Sequence, residues 1–450
     1  MSAMFRSFSV FNYRVWFIGA VVSNIGAWMQ NTAMSWVVLT ELTDNDPAAM
    51  GITMALQFAP PLLLVPVTGW VADRFDRRKL MAVTQSLLLL LGLAIGILLL
   101  TGLMTLGIMY GFALVLGVVM AFDNPVRQAF VSDIVARENA SNAVALNAAS
   151  FNGARMIGPA VAGIIIVAVG TGWVFLVNGV TFLGMLIALA LIRPAELVPR
   201  VRNAGAGRLA DGFRYVGKRP DLIVTFAMVF ILGAFGMNFP IFASTMALEF
   251  GEQADGYGLL SSILAIGSLA GALLAARRDR ARIRVVVAGT LLFAVAATVS
   301  AFMPTYWLYA VTLMVTGFAV VTTLTTANGY VQTTTDPVLR GRVMALYMAI
   351  LMGGTPIGAP IVGWVAGEFG PRAAIGVGAA AALVAFAIGT TWMLASGRVR
   401  RHESRRFRLT IDETVPIGVI APAPEEFSDE SAWTTPIPLS RDDLTVSERR

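Results

Sequence analysis

The stretch richest in reactive side chains runs Gly69-Trp70-Val71-Ala72-Asp73-Arg74-Phe75-Asp76-Arg77-Arg78-Lys79. Asp73 follows Gly69 by four residues, and Arg74, Arg77 and Arg78 come next. A carboxylate so placed can pair with arginine or sit at the positive end of a neighbouring helix, worth about 0.3–1 kcal/mol. This is the chemistry of a switchable contact rather than of bond making. The bland alternative is a positively charged turn. The chain has no cysteine, which excludes a thiol nucleophile, a disulfide framework and thiolate-ligated metal. Its one histidine, His402, lies in a basic stretch, so most imidazole catalysis and metal binding are excluded as well. A phosphate-cradling G-x-x-x-x-G-K-[ST] loop is missing too, so the chain is not its own ATPase. Neither an enzyme activity nor a cofactor or metal is expected.

A second set of polar groups lies within apolar surroundings. Arg155 is the one basic residue placed inside an apolar run. A charge there is costly and normally faces a cavity or a partner. It either pairs structurally or meets an anionic substrate group or a proton site. Asn24, Trp28, Asn31 and Ser35 recur at helical spacing and form one polar-aromatic face. Asn238, Phe242 and Thr245 form a similar stripe, and Gln57 and Asn152 are weaker candidates. Lipid would reject such faces, so they either line a cavity or hydrogen-bond between helices. No Asp or Glu falls at the middle of a run. Asp123 is the best candidate for a protonated carboxylate, against a structural role as partner of Arg77 or Arg127.

These residues must be positioned by membrane helices. Hydrophobic residues make up 57% of the chain and charged residues 13%, whereas a soluble domain carries about 25% charged residues. The apolar runs are long enough for membrane helices rather than barrel strands. Twelve are expected, near 14–40, 48–72, 79–101, 105–127, 140–169, 172–192, 221–248, 256–276, 284–303, 305–333, 341–367 and 372–396. The chain thus reads as an all-α membrane protein of two pseudo-symmetric six-helix bundles, 1–192 and 221–396. A cytoplasmic linker, 193–220, joins them, and the polar tail 397–450 is expected to be disordered. The start of the chain carries no cleavable signal pattern. With both termini in the cytoplasm, 31 of the 33 basic residues fall on the inside; Arg155 and Arg372 are the exceptions. This is the positive-inside pattern. It accounts for the net charge of +6 without a nucleic-acid partner.

The two halves echo each other. Ile157-Gly158-Pro159-Ala160-Val161-Ala162-Gly163 matches Ile357-Gly358-Ala359-Pro360-Ile361-Val362-Gly363, and Asn124 and Gln128 match Asn328 and Gln332. The offsets are 200 and 204, which favours duplication over chance. Small residues at such spacing also allow close helix packing. Parallel six-helix repeats with substrate between them are a recognised transporter plan.

The 69–79 stretch resembles the G-x-x-x-D-R-x-x-R-R-K signature of the major facilitator superfamily, with Asp76 where many members have Gly. Its D-R-F-D-R-R form is similar to the branch that includes the enterobactin exporter and related efflux proteins. Residues 122–163, FDNPVRQAFVSDIVARENASNAVALNAASFNGARMIGPAVAG, are similar to the same branch. Its Gly-Pro portion resembles the helix-5 motif of drug:proton antiporters. The resemblance implies that Gly69, Asp73, Arg74, Arg77 and Arg78, with Asp123, form a cytoplasmic latch of the outward-facing state. It also implies that the Gly158/Pro159/Gly163 set seals against proton leak. Many proton-coupled members carry an arginine where this chain has Ala113, which leaves the usual coupling scheme without its residue. The expected function is proton-coupled efflux of a small amphipathic or hydrophobic compound (siderophore, drug or metabolite) by a monomer in the plasma membrane. An importer, or a membrane sensor or scaffold using the tail, is the alternative.

Overall fold

The computed structural model describes residues 3–198, 209–278, 280–396, 399–401 and 409–411. After a short 3₁₀ turn, Ala3–Ser9, fifteen α-helices follow among the described residues. They are α1 Phe11–Thr40, α2 Pro47–Leu63, α3 Val65–Arg74, α4 Arg77–Leu100, α5 Leu106–Ile134, α6 Arg137–Val169 and α7 Thr171–Leu191. Next come α8 Leu209–Gly217, α9 Pro220–Ile231, α10 Phe239–Glu249 and α11 Ala254–Ala276. The last are α12 Ile283–Ala301, α13 Tyr306–Thr334, α14 Arg340–Phe369 and α15 Pro371–Ala395. Ten helical stretches among the described residues are long and apolar enough to cross a membrane. The fold is all-α apart from one small ribbon, in which Val399–Arg401 pairs antiparallel with Leu409–Ile411. The rest of the polar tail, where disorder was expected, lies outside the described residues.

Local chemistry sets the helix ends. Asp46 caps α2 by accepting from the Ala48 N–H at 2.8 Å, with Pro47 in the first turn. Thr105 caps α5. Gly170 and Gly370, 200 residues apart, both take positive φ, 96° and 88°, at the α6–α7 and α14–α15 corners. That conformation suits glycine and disfavours other residues.

Two expected helices are broken. The run 48–72 divides at Leu64 (φ −92°, ψ 0°) into α2 and α3. Pro60 and Pro61 stand just before the break, and each removes a backbone donor and crowds the preceding turn. Gly69 therefore does not end this run, because α3 continues to Arg74. The run 221–248 divides into α9 and α10 through a π-helical segment, Leu232–Gly236. Pro240 in the first turn of α10 cannot donate backward, so the chain restarts at Phe239. Within the linker, residues 209–217 form α8. Asp211 on α8 pairs with Arg342 of α14 at 3.3 Å.

Part of the packing recurs about 200 residues later. α1 packs on α6 and α7, α2 on α5, and α4 on α7; in the second half α11 and α12 pack on α13 and the π segment on α14. Between the halves, α2 lies along α14 and α6 along α11. Glycines permit each approach. A Cβ on Gly163 would come within 2.6 Å of the Ala254 carbonyl oxygen on α11. Its counterpart Gly363 abuts the Pro47 carbonyl on α2. Pro159 and Pro360 lie in these seams, Pro159 against Gly258 and Pro360 against Gly51. Within the halves, Gly158 meets the α1 backbone at Ile25 and Met29 and the Trp28 Cβ, and Gly358 meets Ala234 of the π segment.

Candidate functional site

Two clusters bear on function. The first lies where α3 meets α4, at the end of the molecule that carries the basic loops. Asp76, at the position where the superfamily pattern often has Gly, caps α4 by accepting from the Lys79 N–H at 3.1 Å. Capping by a side-chain oxygen is worth about 1 kcal/mol. Arg74 stacks over Trp70 at 5.4 Å. Arg78 donates to the carbonyls of Leu189 (2.9 Å) and Ala190 (3.4 Å), satisfying the exposed end of α7. Arg77 donates to Asp133 of α5 at 2.8 Å and to the Ala129 carbonyl. The Asp73 side chain lies outside the described residues.

Asp123, expected either as a third latch member or as a structural partner of Arg77 or Arg127, pairs with Arg127. It accepts from Thr84 Oγ1 at 2.6 Å and from Gln85 Nε2 at 2.8 Å, and it pairs with Arg127 at 3.3 Å. The physical reason is position along α5. Asp123 and Arg127 are i and i+4 on α5, while Asp133 stands nearer the helix end, level with the start of α4. Asp133 thus takes the place beside Arg77, which nothing in its local spacing marks out. Around this corner, Arg74, Phe75, Asp76, Arg78, Phe130, Asp133, Leu197 and Val198 line a cleft of about 290 Å³.

The second cluster is at the middle of α1 and α6. Arg155 lies over the Trp28 ring at 5.6 Å, and Phe151 meets the same ring edge-on at 5.7 Å. Asn24, one turn before Trp28, accepts from Arg127 at 2.9 Å and approaches Ser150 at 3.4 Å. The Asp123–Arg127 pair is thereby joined to α1 and α6. Asn31 and Gln57 are half-buried and make no side-chain hydrogen bond among the described residues; Asn152 donates to its own helix at Ala148.

The second half contributes less than expected. Asn238 is fully buried and donates to Ala234, so it serves the break before α10 rather than an open face. Phe242 is buried too. It packs with Phe239, Phe293, Tyr309 and Ile375 around a remnant space of about 10 Å³ inside that half. The π segment rotates α10 relative to α9, which a uniform helical wheel over 221–248 does not register. Thr245 likewise back-bonds to Ile241 within its own helix.

The end opposite the basic loops is held by different chemistry. Trp36 of α1 stacks on Tyr257 of α11 at 5.9 Å. Arg372, the outward exception to the charge pattern, pairs with Glu249 at 2.6 Å and reaches the Ala301 carbonyl. Glu41 accepts from Thr171 at 2.9 Å, and burial raises its pKa above the ordinary carboxylate value.

Paired helices with glycine seams and a polar midplane define a multi-pass membrane transporter of the major facilitator fold. Solved structures share that fold. One, a bacterial homolog to the human lysosomal transporter Spinster in an inward-facing and occupied conformation, aligns with TM-score 0.66 at 14% identity, covering 88% of this chain and 98% of that one. The nucleoside transporter NupG aligns with TM-score 0.65 at 13% identity, over 85% and 98%. Residues 2–413 match the family model described as transmembrane secretion effector, and the chain belongs to that family. Among curated relatives, the staphyloferrin A transporter of Staphylococcus aureus is 24% identical over 54% of this chain and 62% of its own length. The MFS-type transporter YfiS of Bacillus subtilis is 25% identical over 45% and 48%, so these two matches span about half to three fifths of the relatives' length. The enterobactin exporter EntS of Citrobacter koseri is 24% identical over 86% and 92%. The family and these relatives are membrane transporters, not enzymes.

Proposed function

We propose that this chain is a secondary active exporter that moves a small amphipathic or hydrophobic compound outward in exchange for protons by alternating access. In this reading the chain crosses the plasma membrane twelve times as a monomer. The broken pairs α2/α3 and α9/α10 each count as one span, six spans form each half, and both termini are cytoplasmic. The basic loops serve topology rather than nucleic-acid binding. The names of relatives that handle staphyloferrin A and enterobactin support a siderophore as cargo.

One observation carries the reading. The close contacts between halves gather toward one end, at Gly163 with Ala254, Gly363 with Pro47, and Trp36 with Tyr257. Toward the other end, α6 exposes Val144 and Phe151, and α14 exposes Met348 and Met352. Halves sealed at one end and parted at the other are what an inward-facing member of an alternating pair requires. The test is flux in proteoliposomes carrying an imposed pH gradient, with siderophores and dyes as cargo. Uphill movement driven by the gradient is expected. Flux indifferent to the gradient rejects proton coupling, and no flux of any cargo rejects the transporter reading for these substrate classes.

A further inference from the structure

Among the described residues, the cation at the midpoint of α6 has no neutralising partner. Arg155 stands eighteen residues into the 33-residue helix, far from either end. It makes no ion pair and no hydrogen bond with any described residue. Its recorded contact is the face of Trp28. A cation over an indole is attracted to it but keeps its full charge. The neighbouring cation Arg127, by contrast, has Asp123, Asn24 and Ser23.

Packing does not require Arg155. The second half builds the same helix crossing 200 residues later, with Gly358 seated on Ala234 as Gly158 is on Trp28 and Ile25. The position corresponding to Arg155 there is Thr355, and the corresponding part of the α9–α10 span is the π segment. The crossing closes without a cation and without an indole, so the Arg155–Trp28 pair is an addition of the first half alone.

We propose that Arg155, Trp28 and Phe151 form a subsite for an organic anion whose acidic group is joined to a flat conjugated ring. The guanidinium uses one face on Trp28, which leaves its in-plane N–H donors free to grip a carboxylate or similar oxyanion in the two-point manner arginine favours. Phe151, about half exposed and set edge-on to Trp28, supplies a wall against which the ring lies. The ligand's charge neutralises a cation otherwise held at mid-depth. The subsite deepens the transporter reading by naming its substrate class.

Equilibrium binding to the purified full chain in detergent tests this, with 2-naphthoate, its neutral isostere 2-naphthamide, and citrate as a ringless anion. Wild type is expected to prefer naphthoate over naphthamide by roughly tenfold or more, the scale of a charge-assisted contact, and over citrate as well. Arg155→Gln should bring the naphthoate/naphthamide ratio to near one. Arg155→Lys should keep part of it, since the charge stays and the fork is lost. Trp28→Leu should weaken both naphthyl probes and remove the advantage over citrate. Wild type without charge preference, or without binding to either naphthyl probe, overturns the proposal, as does an unchanged ratio in Arg155→Gln. If that variant is not monodisperse, an unchanged ratio in Arg155→Lys together with unchanged affinity in Trp28→Leu overturns it. Binding needs no gradient. Charge-selective binding beside flux that ignores pH would reject proton coupling and leave the subsite standing.

Discussion

Asp123 is 3% exposed and shares its oxygens among Thr84, Gln85 and Arg127. Removing one partner of a buried pair leaves the other charge uncompensated, which costs about 3–5 kcal/mol. Asp123→Asn should therefore lower thermal stability in detergent sharply, and Asp123→Asn with Arg127→Gln should lose less than the sum of the single changes. Additive losses would show that the two side chains are not coupled. Asp73→Asn tests the proposed latch: transport should fall more than the amount of protein in the membrane. Equal transport at normal expression would remove Asp73 from the switching step. Glu41 gives a pH-dependent case. Burial favours its protonated form, so its folded pKa lies above its unfolded pKa. Its contribution to stability is present below the unfolded value and lost as pH rises through the folded one. Glu41→Gln should thus gain in melting temperature relative to wild type as pH rises above the usual carboxylate range. A difference that is flat with pH would contradict the shift.

At the scale of elements, the two proline-marked breaks have different settings. The break at Leu64 separates α2, which lies along the other half, from α3, which carries the Asp73 corner. The π segment lets Gly233 and Ala234 meet the backbone of α14 at Leu351, Gly354 and Gly358. The seam between α6 and α11 is held by backbone approach rather than by side-chain interlock. Gly163→Val puts branched carbon where the Ala254 carbonyl already sits. It should push apart the outer end while leaving each half intact. Because the native chain has no cysteine, paired labels can be added without background, and the outer distance between α6 and α11 can be measured by electron–electron resonance. The expected result is a longer outer distance in Gly163→Val than in wild type. An unchanged distance would mean that the seam yields locally.

For the whole molecule, the 200-residue offset governs what is shared and what is not. Gly170 with Gly370, Gly158 with Gly358 and Gly163 with Gly363 occupy matching places. The buried charged groups differ in composition among the described residues. The first half buries Asp123 with Arg127, whereas the second gathers Arg219, Asp221 and Tyr330 near the start of α9, with Arg219 and Asp221 2.8 Å apart. Labels at Val144 on α6 and Met348 on α14 should report a long inner distance in the resting protein, with a shorter population appearing under an imposed pH gradient. A single fixed distance under all conditions would contradict alternating access.

Composition, run length and the placement of basic residues by themselves determined a helical membrane protein, because lipid admits few ways to satisfy a backbone and loop charge follows topology. The Gly-Pro repeat was legible for a similar reason: close backbone approach is met by few residue types at fixed spacing. Partner choice was not legible. Arg77 reaches Asp133 rather than Asp123 because Asp133 lies at the end of α5, level with the start of α4, while Asp123 stands nearly three turns deeper. Asn238 and Phe242 turn inward because a π segment changes the phase of α10, which a uniform wheel cannot register. Arg155 stood out in the sequence as a lone charge. Its stacking on Trp28 without an ion pair depends on the crossing of α1 and α6, and only the tertiary structure decided it.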